Sequence, residues 1–118
     1  MDFDRFTLVF LVDSQDAPVL DDEASAALQD AHLAHLAQLH EDGHCIAAGP
    51  LLGGAEQPLR GLLLLRVDPD RARELAEADP AVRAGRYRLQ ILPWMVPAGA
   101  IVFTPTRVPR SMADVSAD

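Results

Sequence analysis

The chain predicts an α+β fold in which strands and helices follow one another as β-α-β-β-α-β, giving a four-stranded antiparallel sheet with both helices on one face. Three observations carry that prediction. A run of strand-favouring apolar residues opens the chain. A long segment of helical periodicity, closed by a glycine, follows it. The second half then repeats strand, helix and strand, with an Asp-Pro step starting the helix. At 118 residues, with 49% hydrophobic and 24% charged side chains, one domain with its own core is expected.

Phe3 to Val12 ends in a continuous apolar run, the pattern of a strand covered on both faces. Asp13-Ser14-Gln15-Asp16-Ala17-Pro18 is turn chemistry. Asp21 or Asp22 can cap the first helix, Glu23 adds negative charge that suits its dipole, and Gly43 supplies the stop after Asp42. His44 to Ala48 reads as a short strand closed by Gly49-Pro50, and Leu51 to Leu59, with Gly53-Gly54, as a wide loop. Gly61 to Val67 is the third strand. Asp68-Pro69 starts the second helix, which runs to about Ala78 and breaks at Asp79-Pro80, with one more turn over Ala81 to Ala84. Arg86 to Trp94 alternates polar and apolar with period two, a half-exposed strand.

This order is the ferredoxin-like pattern, and it leaves one face of an apolar sheet bare. A large bare apolar face marks an interface, so a homodimer with sheet packed on sheet is expected. Ala100 to Phe103 is another apolar piece, hemmed by Pro97, Pro105 and Pro109; its Ile101 to Phe103 segment would extend that contact, and disorder is expected after Arg110.

A net charge of −8, with ten arginines and no lysine, argues against a nucleic-acid or anionic-membrane partner. No apolar run reaches the roughly 20 residues of a membrane helix, and the acidic opening is unlike a signal peptide. The single cysteine, Cys45, cannot staple the fold, so the cytoplasm is the default location.

The candidate chemistry sits on the first helix. At roughly 100° per residue, Leu28, Ala31, His32, His35, Leu36 and Leu39 share one stripe about 140° wide. Leu33 is the one large apolar residue outside it, and two imidazoles face inward. A side chain that titrates near neutral pH is costly to bury without a partner. The bland reading is a satisfied core histidine, and His40 and His44 read as solvated or helix-end residues. His32 and His35, one turn apart, could share a metal with Asp79 as a third ligand, but there is no His-Glu-x-x-His motif and no cysteine cluster, so neither metal nor cofactor is expected. Arg83 and Arg86, flanking Gly85, would suit an anionic group, and Trp94 and Tyr87 would line a pocket or fill core.

Several pieces of the chain together resemble the YCII-related family of small dimeric α+β barrels. They are His32-Leu33-Ala34-His35-Leu36, Ala48-Gly49-Pro50, Gly61, Ala76-Glu77-Ala78-Asp79-Pro80, Ala84-Gly85 and Leu92-Pro93-Trp94. The resemblance covers about Phe6 to Trp94 and implies a domain over residues 1–96, with 97–118 as a C-terminal extension. It also implies a site that pairs a first-helix histidine with the aspartate of an Asp-Pro step, here His32 and Asp79. His35, Gly49, Pro50, Arg83 and Trp94 are then expected around a small-molecule ligand. Two departures bear on the pocket wall: Ala81 stands where an aromatic is common, and His35 where tyrosine is. A histidine steadied by a carboxylate is suited to moving one proton, and no motif surrounds Ser14 or Ser25 that would make either a nucleophile. Acid–base isomerase or lyase chemistry on a small organic molecule is therefore expected. The alternatives are a ligand-binding or accessory dimer without turnover, and a structural module whose histidines merely pack.

Overall fold

The computed structural model describes residues 1–117. Its elements are β1 (Phe3–Asp13), α1 (Asp22–Glu41), β2 (Cys45–Pro50), β3 (Leu59–Leu65), α2 (Pro69–Glu77), α3 (Pro80–Arg83), β4 (Tyr87–Pro97) and α4 (Met112–Ser116). The strands form one sheet in the order β2-β3-β1-β4, and every neighbouring pair is antiparallel. This is the ferredoxin-like arrangement that the sequence predicts.

Alternation along β1 separates the two faces of the sheet. Thr7, Val9 and Leu11 point under the helices and are buried, opposite Leu65, Leu63 and Gly61 on β3. Leu36 and Leu39 of α1 and Ala72 and Ala76 of α2 close over them. Small alanines on α2 let its backbone approach the sheet, while leucines on α1 fill the wider gap. Thr7 is polar within this core, and its hydroxyl donates to the carbonyl of Val67 at 2.6 Å, tying β1 to the lead-in of α2. On the far face Leu8, Phe10, Leu62 and Leu64 are half-buried, and Leu92 and Trp94 are exposed.

Local chemistry sets the boundaries. Asp21 caps α1 by accepting from the backbone N–H of Ala24, and Gly43, with φ +81°, ends it in the left-handed region. Asp68 and Asp79 cap α2 and α3 in the same way, each followed by proline at the first helical position. The fourth strand runs three residues past the expected Trp94, because its pairing with β1 continues unbroken to Phe3 opposite Pro97. Pro93 and Pro97 are tolerated there since β4 is an edge strand.

The tail differs from expectation. Where disorder is predicted beyond Arg110, Ser111 caps a short helix by accepting from the N–H of Asp114. Among the described residues no helix is long and apolar enough to cross a membrane.

Candidate functional site

Two local structures deliver the central pair. The inward stripe of α1 carries His32 beneath the helix, while the Asp79-Pro80 step ends α2 and begins α3. Proline disfavours helical geometry at the residue before it, so Asp79 is extended, with φ −63° and ψ 125°. That turn aims its carboxylate at α1. Oδ1 accepts the N–H of Ala81 at 2.9 Å, and Oδ2 lies 2.6 Å from Nδ1 of His32. Both side chains are buried, His32 at 6% and Asp79 at 2% relative exposure.

An ionised carboxylate can only accept, so the proton between them belongs to Nδ1. In the neutral ring Nε2 then carries the lone pair. No buried polar side-chain atom among the described residues lacks a partner, and Nε2 bonds to none of them. It is therefore not sealed in. It opens on a cavity of about 440 Å³, within the roughly 300–1,000 Å³ usual for small-molecule sites.

Four groups of residues build that cavity. Gln29, His32, Leu33 and Leu36 come from α1. Leu11, Gly61, Leu63 and Tyr87 form the sheet floor. Ala48, Gly49 and Pro50 are the outer end of β2. Val108, Pro109, Met112 and Val115 come from the C-terminal tail. Gly61 keeps the floor low: a Cβ there would lie 3.1 Å from Cδ1 of Leu11.

The polar groups are few. The ring of Tyr87 lies 5.8 Å from that of His32, centroid to centroid. Burial pushes its phenol above the ordinary value; Arg86 and Arg60 oppose that shift, and Asp79 and Asp13 add to it. The phenol is thus a neutral hydrogen-bond donor at neutral pH. Arg60 brings positive charge to the rim and is paired with Asp13 at 3.3 Å. Arg86 donates to Ser25 Oγ at 2.9 Å and Gln29 Oε1 at 3.3 Å, fastening the first turns of α1 over the pocket.

Of the residues expected around a ligand, Gly49 and Pro50 join His32 at the cavity, and Asp79 stands behind His32. The other three are elsewhere. His35 lies 2.9 Å through Nε2 from the carbonyl of Leu75 and ties α1 to α2. Arg83 is exposed at the end of α3. Trp94 lines a larger hollow of about 530 Å³ at the opposite end of the sheet, with Phe6, Arg5 and Arg66. That hollow has more volume but no imidazole, and the His32–Asp79 pair is not in it.

His40 lies in the last turn of α1, the helix-end position expected of it, but it is not solvated. It is buried at 5% exposure, with Nδ1 bonded to the carbonyl of Cys45 and Nε2 accepting the N–H of Thr106. Cys45 is buried too, and its thiol is pushed up to about 11 by burial, which leaves it uncharged and unsuited to nucleophilic attack. Among the described residues no three His, Cys, Asp or Glu side chains gather as a metal site requires. Gln29, Leu36 and the tail residues were not expected at a site. Leu33, the large apolar residue off the main stripe, was the one signal that α1 has a second covered flank.

Comparison with known proteins places this geometry in context. The YCII-related domain family matches the chain over residues 6–95, which takes in β1 to β4 and both members of the buried pair. No curated protein matches it. Among solved structures, the 5-chloro-2-hydroxyhydroquinone dehydrochlorinase of Burkholderia phenoliruptrix AC1100, in complex with 2,5-dihydroxybenzoquinone, is similar with a TM-score of 0.56. The identity is 21%, over 75% of this chain and 92% of that one, and the likeness is one of fold.

Proposed function

This chain belongs to the YCII-related domain family, and on that premise we propose that it is a small-molecule enzyme whose His32 moves a proton with Asp79 holding the imidazole. One observation carries the reading: the 2.6 Å contact between His32 Nδ1 and Asp79 Oδ2, with Nε2 open to the cavity. The carboxylate fixes the tautomer, orients the ring and stabilises the imidazolium that forms when Nε2 takes a proton.

The steps follow from that arrangement. Nε2 removes a proton from an activated carbon or hydroxyl, and the electron pair of the broken bond moves into the substrate. In an isomerase the imidazolium returns the proton at another carbon. In a lyase the pair forms a new π bond as a leaving group departs from the adjacent atom. Either way negative charge develops on a substrate oxygen, and the neutral phenol of Tyr87 is the donor nearest His32 that suits it.

The test uses cyclic carbon acids and halogenated hydroquinones, the second set chosen because the similar structure is that of a dehydrochlorinase. In D₂O the protein is expected to incorporate deuterium at an activated carbon or to release halide. His32→Gln should lower the rate by about 10²–10⁴, the usual worth of a positioned acid or base. A His32→Gln variant as active as the parent refutes the proposal, and ligand binding without turnover of any compound supports the accessory alternative. We further propose that two chains pair through the sheet face bearing Leu8, Phe10, Leu62, Leu64 and Trp94. Light scattering should then report twice the chain mass, and a monomer at micromolar concentration refutes the pairing.

A further inference from the structure

The family match ends at residue 95, yet a quarter of the cavity wall comes from beyond it. The chain leaves β4 and runs as a strap. Its start is held where the N–H of Gly99 donates to Asp4 Oδ2 at 2.9 Å. Phe103 then lies between His40, with ring centroids 5.6 Å apart, and the guanidinium of Arg66, 5.2 Å from its centroid. From there the strap runs back along α1, from the C-terminal end of that helix towards its middle. Thr106 N–H donates to His40 Nε2 at 3.1 Å, Arg110 pairs with Glu41, and Met112 N–H donates to Asp30 Oδ1 at 2.8 Å.

The first of these clamps is chemically specific. His40 Nδ1–H donates to the Cys45 carbonyl at 2.9 Å, which leaves Nε2 as an acceptor, and Thr106 supplies the matching donor. One neutral tautomer satisfies both bonds. The strap is thus seated by α1 and not merely draped over it. Beyond Thr106 it presents Val108, Pro109, Met112 and Val115 to the cavity that holds His32, and none of the four offers a polar side-chain atom that hydrogen-bonds well. The polar groups of the pocket, Tyr87, Gln29, Arg60 and the imidazole, all come from the domain proper.

We propose that this strap is the specificity wall of the dyad cavity, selecting ligands whose ring or chain carries apolar bulk over compact polar ones. The proposal rests on reading the dyad cavity as the ligand site, and it adds the class of ligand. It also assigns the extension a role: the domain supplies every polar group and part of the apolar lining, and the strap adds a wall that is apolar throughout. A methyl or methylene buried against such a wall strengthens binding several-fold, whereas a compact polar molecule gains nothing from it.

The experiment measures binding, so turnover does not enter. Phenol and 4-tert-butylphenol are titrated calorimetrically into the full chain, the parent protein and two variants. In the parent, 4-tert-butylphenol is expected to bind at least about tenfold more tightly than phenol. Met112→Ser with Val115→Ser changes side chains that are half-exposed in a surface helix, and should cut that ratio to about twofold. Thr106→Pro deletes the donor to His40 while leaving every lining residue in place, and should lower the ratio as well. Folding of each variant is checked by its far-ultraviolet circular dichroism. A parent that binds neither phenol, or binds both equally, overturns the proposal, as does a ratio unmoved in both folded variants. If the ratio behaves as expected while His32→Gln changes no reaction, the proton-transfer reading fails and the strap assignment stands.

Discussion

Replacing Asp79 separates the two bonds that its carboxylate makes. In Asp79→Asn the side-chain carbonyl can still accept the N–H of Ala81, so the cap on α3 survives. The amide nitrogen then faces Nδ1 of His32 and can only donate. The imidazole must move its proton to Nε2, and the lone pair that opened on the cavity is gone. A hydrogen bond to a charged group is worth about 1.5–3 kcal/mol and a neutral one about 0.5–1.5, so the stability lost is about 1 kcal/mol. For a domain of this size that lowers Tm by roughly 4 °C. Activity should fall by about 10²–10⁴, far more than the stability change would produce. Asp79→Ala differs: it loses the cap, about 0.5–2 kcal/mol, and strands a buried N–H, about 1–3 kcal/mol. Urea unfolding should resolve the alanine variant as the less stable by at least about 1 kcal/mol. Nitrogen NMR of the imidazole reads the tautomer directly. An asparagine variant that keeps its proton on Nδ1, or an alanine variant as stable as the parent, refutes the reasoning.

Two further outcomes follow from burial. The Cys45 thiol ionises near pH 9 when unfolded and at about 11 when folded, so between those values the unfolded state binds fewer protons. Stability is then full below pH 9 and falls as the pH rises through that window, by roughly 2–3 kcal/mol in all; urea melts at pH 8 and pH 10.5 should show it, and Cys45→Ala should flatten it. Gly61→Ala drives a methyl towards Cδ1 of Leu11, which lay 3.1 Å from the ideal Cβ, and should cost about 1–3 kcal/mol while weakening ligand binding; Leu11→Val in the same chain should recover part of both, and a Gly61→Ala protein as stable as the parent counts against the close approach.

What the sequence made legible were features whose signal is local. Leu8 to Val12 is apolar on both faces, and only a central strand accounts for that. The two Asp-Pro steps name two helix starts, because an aspartate accepts the early N–H groups and proline needs none. The cavity was less legible, for a reason visible on α1. Taking His32 as the origin at roughly 100° per residue, Gln29, His40 and Leu33 project at about 60°, 80° and 100°, just outside the main stripe. That flank is covered too, by the end of β2 and by the tail. Its contents are one amide, one imidazole and one leucine, so no count of apolar residues would mark it. The tail itself was unreadable. Pro105 and Pro109 interrupt any period, and Val108, Met112 and Val115 gain meaning only from the groove they fill.

Asp79 serves α3 as its cap and His32 as its hydrogen-bond partner at once. A carboxylate has two oxygens with lone pairs to spare, and each oxygen here has one bond. The cap fixes where Oδ1 points, and a planar group with one oxygen fixed has little freedom left for the other. Oδ2 is therefore aimed at His32 by the same turn that ends α2, before any ligand arrives. This explains why the pair is so deeply buried without an unsatisfied oxygen: α3 needs the acceptor, and the imidazole needs the anion. Glutamate at position 79 would keep the charge, but its extra methylene would carry the oxygens past the N–H of Ala81. Aspartate thus answers two demands at once: its length serves the cap, which glutamate would lose, and its charge serves the imidazole, which asparagine would lose.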